Sequence, residues 1–220
     1  AAGAAAARGG ARRCSLWLHT SGSRGLEVFE PAQRLEVRVG ALHPVAPFPA
    51  SLAEAPIAGA PAVCQAGASS RRLLARLCDM LELSPVFCGD QDRVLYHAAC
   101  ALAANGAAAL YGLAEQLLQR AGGLSDPDAA RIVAALMTAA VEGAQRHGAA
   151  ASLSGPVRRG DAATVAAHQR RLSTAAPEGL QAYRALMTRA AEMAAQEGLD
   201  EALLRGVLRA LAPPGGPWPS

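Results

Sequence analysis

The stretch AVCQAGASSRRLLARLCDMLELSPVFCG, residues 62–89, decides the fold class. Its two ends, Ala62-Val63-Cys64-Gln65 and Pro85-Val86-Phe87-Cys88, are short apolar runs that read as strands. Between them Ser69-Ser70 caps a helix reaching about Glu82, with Leu73, Leu74, Leu77 and Leu81 on one face. Strand, helix and strand at this spacing are the unit of a parallel α/β sheet. Upstream, Leu16-Trp17-Leu18-His19 is a similar run followed by the turn signal Ser21-Gly22-Ser23. Val37 to Leu42 is another, stopped by His43-Pro44, and Pro44, Pro47 and Pro49 bar a regular helix from the following loop.

After Gly89 the chain changes character. Asp90 reads as the N-cap of a helix from about Gln91 to Arg120, about 45 Å long at ~1.5 Å per residue. Gly122-Gly123 ends it. Asp126-Pro127 starts a helix to about His147. A loop spans Ser152 to Gly160, and Asp161 caps a helix to about Leu172. Pro177-Glu178 opens one to about Gln196, and Asp200 one to about Leu211. The expected organisation is a linker-like segment 1–15, a partial α/β domain 16–89, a helical domain 90–212 and a disordered tail 213–220. The first domain is thin for independent folding, so it is expected to lack strands or to lean on the helices.

Composition narrows the classes. The chain has 220 residues, 51% of them hydrophobic, but 54 are Ala and aromatics are only 4%, so the core is expected to rest on small side chains and close helix contacts. All 21 basic residues are Arg against 18 acidic ones, giving +3. The arginines are scattered without interleaved aromatics, which argues against nucleic acid. No apolar run reaches the ~18–20 residues of a membrane span. Cys14, Cys64, Cys78, Cys88 and Cys100 show no CxxC spacing, so neither a zinc site nor a disulfide framework is indicated, and reduced thiols in a cytoplasmic protein are expected. Ala1 to Arg13 lacks the apolar core of a signal peptide.

Four clusters could carry chemistry. His19-Thr20-Ser21-Gly22 ends a predicted strand, where open α/β sheets bind ligands; it is equally an ordinary polar turn. His43-Pro44 sets an imidazole in a proline-stiffened loop, or simply an exposed histidine. On the long helix Arg93, Tyr96, His97 and Asn105 form a slanted polar stripe among alanines, either facing a ligand or satisfied inside a core. Gly155-Pro156, Arg159-Gly160-Asp161, Thr164 and His168 form the fourth; Asp161, Thr164 and His168 share a helix face, and Asp161 is also a plain N-cap. No nucleophile elbow or HExxH pattern occurs, and the histidines are too dispersed to indicate a metal centre.

Taken together, Leu95-Tyr96-His97-Ala98-Ala99 with Asn105, Leu153-Ser154-Gly155-Pro156, Arg159-Gly160-Asp161, Thr164-Val165 and His168 resemble a bacterial family. Its members join an NADP-binding Rossmann-like domain to a helical domain of unknown function, number 2520. His19-Thr20-Ser21-Gly22 and Leu42-His43-Pro44 also resemble it, in the second half of its Rossmann domain. The resemblance runs from about Leu16 to Gly198, and the family is itself similar to pyrroline-5-carboxylate reductase, ketopantoate reductase and the 6-phosphogluconate dehydrogenase group. It implies a partial Rossmann-like parallel sheet followed by a helical domain like the C-terminal one of 6-phosphogluconate dehydrogenase, pairing in a homodimer.

The resemblance further implies hydride transfer between NADP (or NAD) and the C=N or C=O carbon of a small imino or keto acid. His19, Thr20, Ser21, Gly22, His43 and Pro44 would then line the nicotinamide. Tyr96, His97 and Asn105 would be catalytic, with the His97 imidazole as general acid. Arg93, Gly155, Pro156, Arg159, Asp161, Thr164 and His168 would serve the substrate cleft. Two departures stand out. No G-x-G-x-x-G occurs, so the pyrophosphate cradle is missing and the chain reads as a fragment, inactive and weakly cofactor-binding alone. Arg93 stands where relatives are expected to carry Lys; it could anchor an anionic substrate but is a poor acid. The competing expectations are a non-catalytic helical dimerisation or ligand-binding module and, more weakly, a protein-binding adaptor.

Overall fold

The computed structural model describes residues 16–33, 37–46, 48, 57–89 and 92–213. The linker-like segment 1–15 and residues 214–220 lie outside them. The chain divides into two compact units, Ala1–Ala107 and Ala108–Ser220.

In the first unit, strand β1 (Trp17–His19) is followed by a 3-10 turn (Leu26–Phe29) and a short helix α1 (Glu30–Gln33). Strand β2 (Val39–Pro44) lies parallel to β1, with Leu18 opposite Gly40. Strand β3 (Pro61–Ala66) runs antiparallel to β2, with Leu42 opposite Cys64. Helix α2 (Ala68–Met80) then returns the chain to β4 (Ser84–Phe87), parallel to β3. The sheet order is β1-β2-β3-β4. The α/β class stands, but the sheet is mixed rather than wholly parallel. A parallel return from β2 would need a crossover, usually a helix. The intervening sequence carries Pro47, Pro49 and Pro56, which discourage one. Leu42, Ala62, Cys64, Leu74, Cys78 and Leu83 form the core under α2. Inside it the thiols of Cys64 and Cys78 lie 3.7 Å apart. Burial and the neighbouring Cys78 push the Cys64 thiol up to about 12.

Helix α3 spans Arg93–Ala121 and widens into a π-helical turn at Leu102–Gly106. Its N-cap is Asp92, which accepts from the amide of Leu95; the expected cap, Asp90, lies outside the described residues. The boundary between the compact units falls within α3, later than the change of character at Gly89. The first turn of α3 is bound into the first unit by Arg93. By length and composition α3 could cross a membrane: its most apolar 18-residue window has a mean hydropathy of 1.3, and none of it is buried. This corrects the expectation that no stretch reaches that standard. Alanines raise hydropathy without forming a conspicuous run of large apolar side chains.

In the second unit, α4 (Asp126–His147) is capped by Ser125 rather than by Asp126. The expected loop 152–160 contains a short helix, α5 (Gly155–Arg158). Helices α6 (Ala162–Ala175), α7 (Pro177–Gln196) and α8 (Glu201–Leu211) follow. Val157, Val165, Ala191, Val207 and Leu211 form their core, flanked by Tyr183 and Met187.

Candidate functional site

In the first unit the carboxyl ends of β1 and β2 lie side by side at one edge of the sheet, where open α/β sheets bind their ligands. The loop after β1 is held there by its own residues. His19 Nδ1 accepts from the amide of Ser21 at 3.2 Å, so its Nε2 carries the proton and donates to the carbonyl of Gly25 at 2.9 Å. Both ring nitrogens are thereby committed inside the loop.

Arg93 closes the loop from the opposite side. It is 5% exposed, and its Nε and Nη2 donate to the carbonyls of Arg24 and Ser21, each at 3.1 Å. Its guanidinium lies 4.9 Å from the centre of the Tyr96 ring. Nη1 is buried with no hydrogen-bond partner among the described residues. Arg93 therefore clamps the loop instead of standing exposed to an anionic substrate.

The groups left to do chemistry gather on Gly22. His43, near the end of β2, shares a 2.7 Å hydrogen bond through Nδ1 with the Tyr96 hydroxyl. The His43 and His97 rings meet edge-on, their centroids 6.0 Å apart. Gly22 is buried beneath both: a Cβ there would stand 2.5 Å from His97 Cδ2 and 2.8 Å from His43 Nε2. Burial, and then the positive Arg93 and the neighbouring His97, hold the His43 imidazole below its ordinary range. Burial and the adjacent Cys100 hold the Tyr96 phenol above its own. His43 is thus neutral and Tyr96 un-ionised near pH 7, while His97 is exposed at the surface. Two imidazoles and a phenol in this arrangement can take up or deliver a proton.

Thr20 is exposed in the same loop, and Pro44 ends β2 beside His43. The Ser21 and Ser23 hydroxyls approach to 3.4 Å. Asn105 lies about 12 Å further along α3, eight residues beyond His97 at ~1.5 Å each. It is exposed within the π turn and satisfies no core partner, so the core reading of this residue does not hold. Such turns are frequent at functional sites.

The fourth cluster lies in the second unit and mostly builds a corner. Gly155 and Gly160 have φ of +80° and +71°. Asp161 accepts from the amide and hydroxyl of Thr164 at 3.0 and 2.6 Å, capping α6. These bonds lower the Asp161 pKa. Pro156 is the second residue of α5, and Arg159 is exposed after the helix. His168 stands apart from this corner: its Nδ1 shares a 2.9 Å hydrogen bond with the Tyr183 hydroxyl. Sequence reading missed Tyr183, Cys100 and Gly22's role as a shelf, because each depends on a partner distant or unremarkable in sequence.

Among the described residues no group of three or more His, Cys, Asp or Glu side chains is placed to hold a metal ion. Nor does the sequence offer a glycine-rich cradle for a dinucleotide pyrophosphate.

Comparison with known proteins follows the same lines. Residues 60–191 match a family described as Domain of unknown function (DUF2520), a span that includes Tyr96, His97, Asn105 and the 155–168 corner. Protein TM1727 from Thermotoga maritima superposes with a TM-score of 0.64 at 20% identity, over 82% of this chain and 69% of that one. The putative NADP oxidoreductase BF3122 from Bacteroides fragilis does so with a TM-score of 0.64 at 22% identity, over 80% of this chain and 65% of that one. At these identities the likeness is one of fold. No curated protein matches the chain.

Proposed function

The chain belongs to the DUF2520 family, and from that premise we propose that it carries the proton-handling, substrate-facing part of an NAD(P)-linked oxidoreductase. The substrate class is a small imino or keto acid. The observation that carries this reading is the meeting of His43, Tyr96 and His97 on Gly22, beyond the carboxyl ends of two parallel strands. A fold neighbour described as a putative NADP oxidoreductase supports it. When bound, the cofactor supplies the hydride. His97, exposed at the site, delivers the proton. His43, held neutral against Tyr96, orients the pair, and Arg93 and His19 keep the loop in place. No G-x-G-x-x-G occurs in the sequence, so no residue is assigned to the cofactor's pyrophosphate.

The test assays the chain for NADPH oxidation against 2-keto acids and cyclic imino acids. His97→Ala is expected to cut turnover at least ~10²-fold, as loss of a general acid does. Turnover equal to wild type in that variant defeats the assignment. Failure of the chain to bind or oxidise NADPH defeats the oxidoreductase reading as a whole.

One observation favours a companion reading, pairing of two copies through the helices. None of the most apolar window of α3 is buried, and Val94, Leu95 and Leu102 are among the most exposed large apolar side chains. Such a surface is what a second helix covers.

A further inference from the structure

The second unit contains a pocket that the imidazole cluster does not use. It has a volume of about 290 Å³ and lies between the end of α3, the second half of α6 and the start of α7. Leu117, Leu172 and Ala175 give it apolar walls. On one side stands the His168–Tyr183 hydrogen bond, with the phenol kept un-ionised by burial. Two arginines, Arg120 and Arg171, are also among its lining residues. Arg120 is already engaged, with the Glu178 carboxylate and the carbonyl of Ala175. Arg171 is exposed and has no side-chain partner among the described residues, which leaves one unpaired arginine lining an apolar pocket.

The geometry points to a binding site for a small carboxylate with a hydrocarbon body, such as an aryl- or alkyl-substituted acid. The volume lies at the lower end of the ~300–1,000 Å³ typical of small-molecule sites, and is too small for a peptide helix ~10 Å across. The apolar walls take the body, Arg171 takes the charge, and the Tyr183–His168 pair offers a polar contact within the pocket. A cation would meet two arginines. A dianion would find only one guanidinium free of a carboxylate partner. This site goes beyond the proposed oxidoreductase chemistry and is built from other residues.

The experiment is calorimetric titration of the full chain with 4-phenylbutyrate and with 4-phenylbutanol, its uncharged analogue. Two-dimensional NMR follows the Tyr183 and His168 rings in parallel. Saturable binding of the acid is expected, with both rings shifting and the alcohol binding at least ~10-fold more weakly, the scale of a charge-assisted hydrogen bond. Arg171→Gln is expected to weaken the acid by a similar factor without unfolding, since its side chain is exposed. Ala121→Trp, which fills the pocket from the end of α3, is expected to abolish binding. Equal binding of acid and alcohol overturns the proposal. So does unchanged affinity in Arg171→Gln, or no saturation by the acid up to about 10 mM. Should Ala121→Trp fail to fold, the acid–alcohol comparison and Arg171→Gln still decide.

Discussion

Gly22 is the least forgiving position of the imidazole cluster. A methyl group there must displace His97 or His43, both nearer than 3.0 Å to where it would stand. Gly22→Ala is expected to destabilise the chain by about 1–3 kcal/mol, as overpacking does. Urea unfolding measures the loss, and the histidine ring signals report the displacement. Arg93→Met is expected to cost about 1.5–3 kcal/mol, because two partly buried carbonyls lose a charged donor. Stability within ~0.5 kcal/mol of wild type would show that the clamp is dispensable. The His43 shift sets a pH dependence. Its folded pKa lies below the unfolded value, so the unfolded chain binds the proton more readily. Stability is then complete above the unfolded pKa, near 6.5, and is lost as pH falls below it. His43→Gln should flatten that acid-side slope in unfolding curves taken from pH 7 to 5. The identities of His43, Tyr96 and His97 were legible in the sequence. The role of Arg93 was not, because its direction is set by carbonyls about 70 positions upstream.

At the scale of elements, local signals were read well and non-local ones poorly. Asp161 before α6, Pro177 at the start of α7 and Gly122-Gly123 after α3 act within one turn of themselves, and the structure follows them. The direction of β3 depends on a long connection, and there the expectation of parallel strands failed. The Arg159-Gly160-Asp161 motif shows both aspects. Its Asp is a cap that the sequence disclosed, whereas its Gly is required by a positive φ and by Leu203, whose Cβ would stand 2.6 Å from an added methyl group. Gly160→Ala is expected to cost the helical unit about 2–4 kcal/mol, from strain and overpacking together. A thermal melt followed at 222 nm measures it.

For the whole molecule, the change from strands to helices was visible in the spacing of apolar residues, but the point of division was not. It lies inside α3, whose first turn is bonded through Arg93 to the loop after β1. The pocket at Tyr183 was invisible for a related reason: the end of α3 lies far upstream of α6 and α7, and all three contribute unremarkable residues. If α3 pairs two copies, sedimentation velocity should show a dimer whose population rises with protein concentration. Leu102→Glu, placing charge on a side chain that is 75% exposed, should shift it to monomer. A monomer at all concentrations would leave the helix without that partner.

The sulfur atoms of Cys64 and Cys78 are sealed under α2, at 0% exposure. No alkylating reagent can reach them while the helix rests on the sheet. Cys88 and Cys100, partly accessible, should label first. Arrival of the label at Cys64 and Cys78 therefore acts as a clock for opening of the α/β unit, read by mass spectrometry.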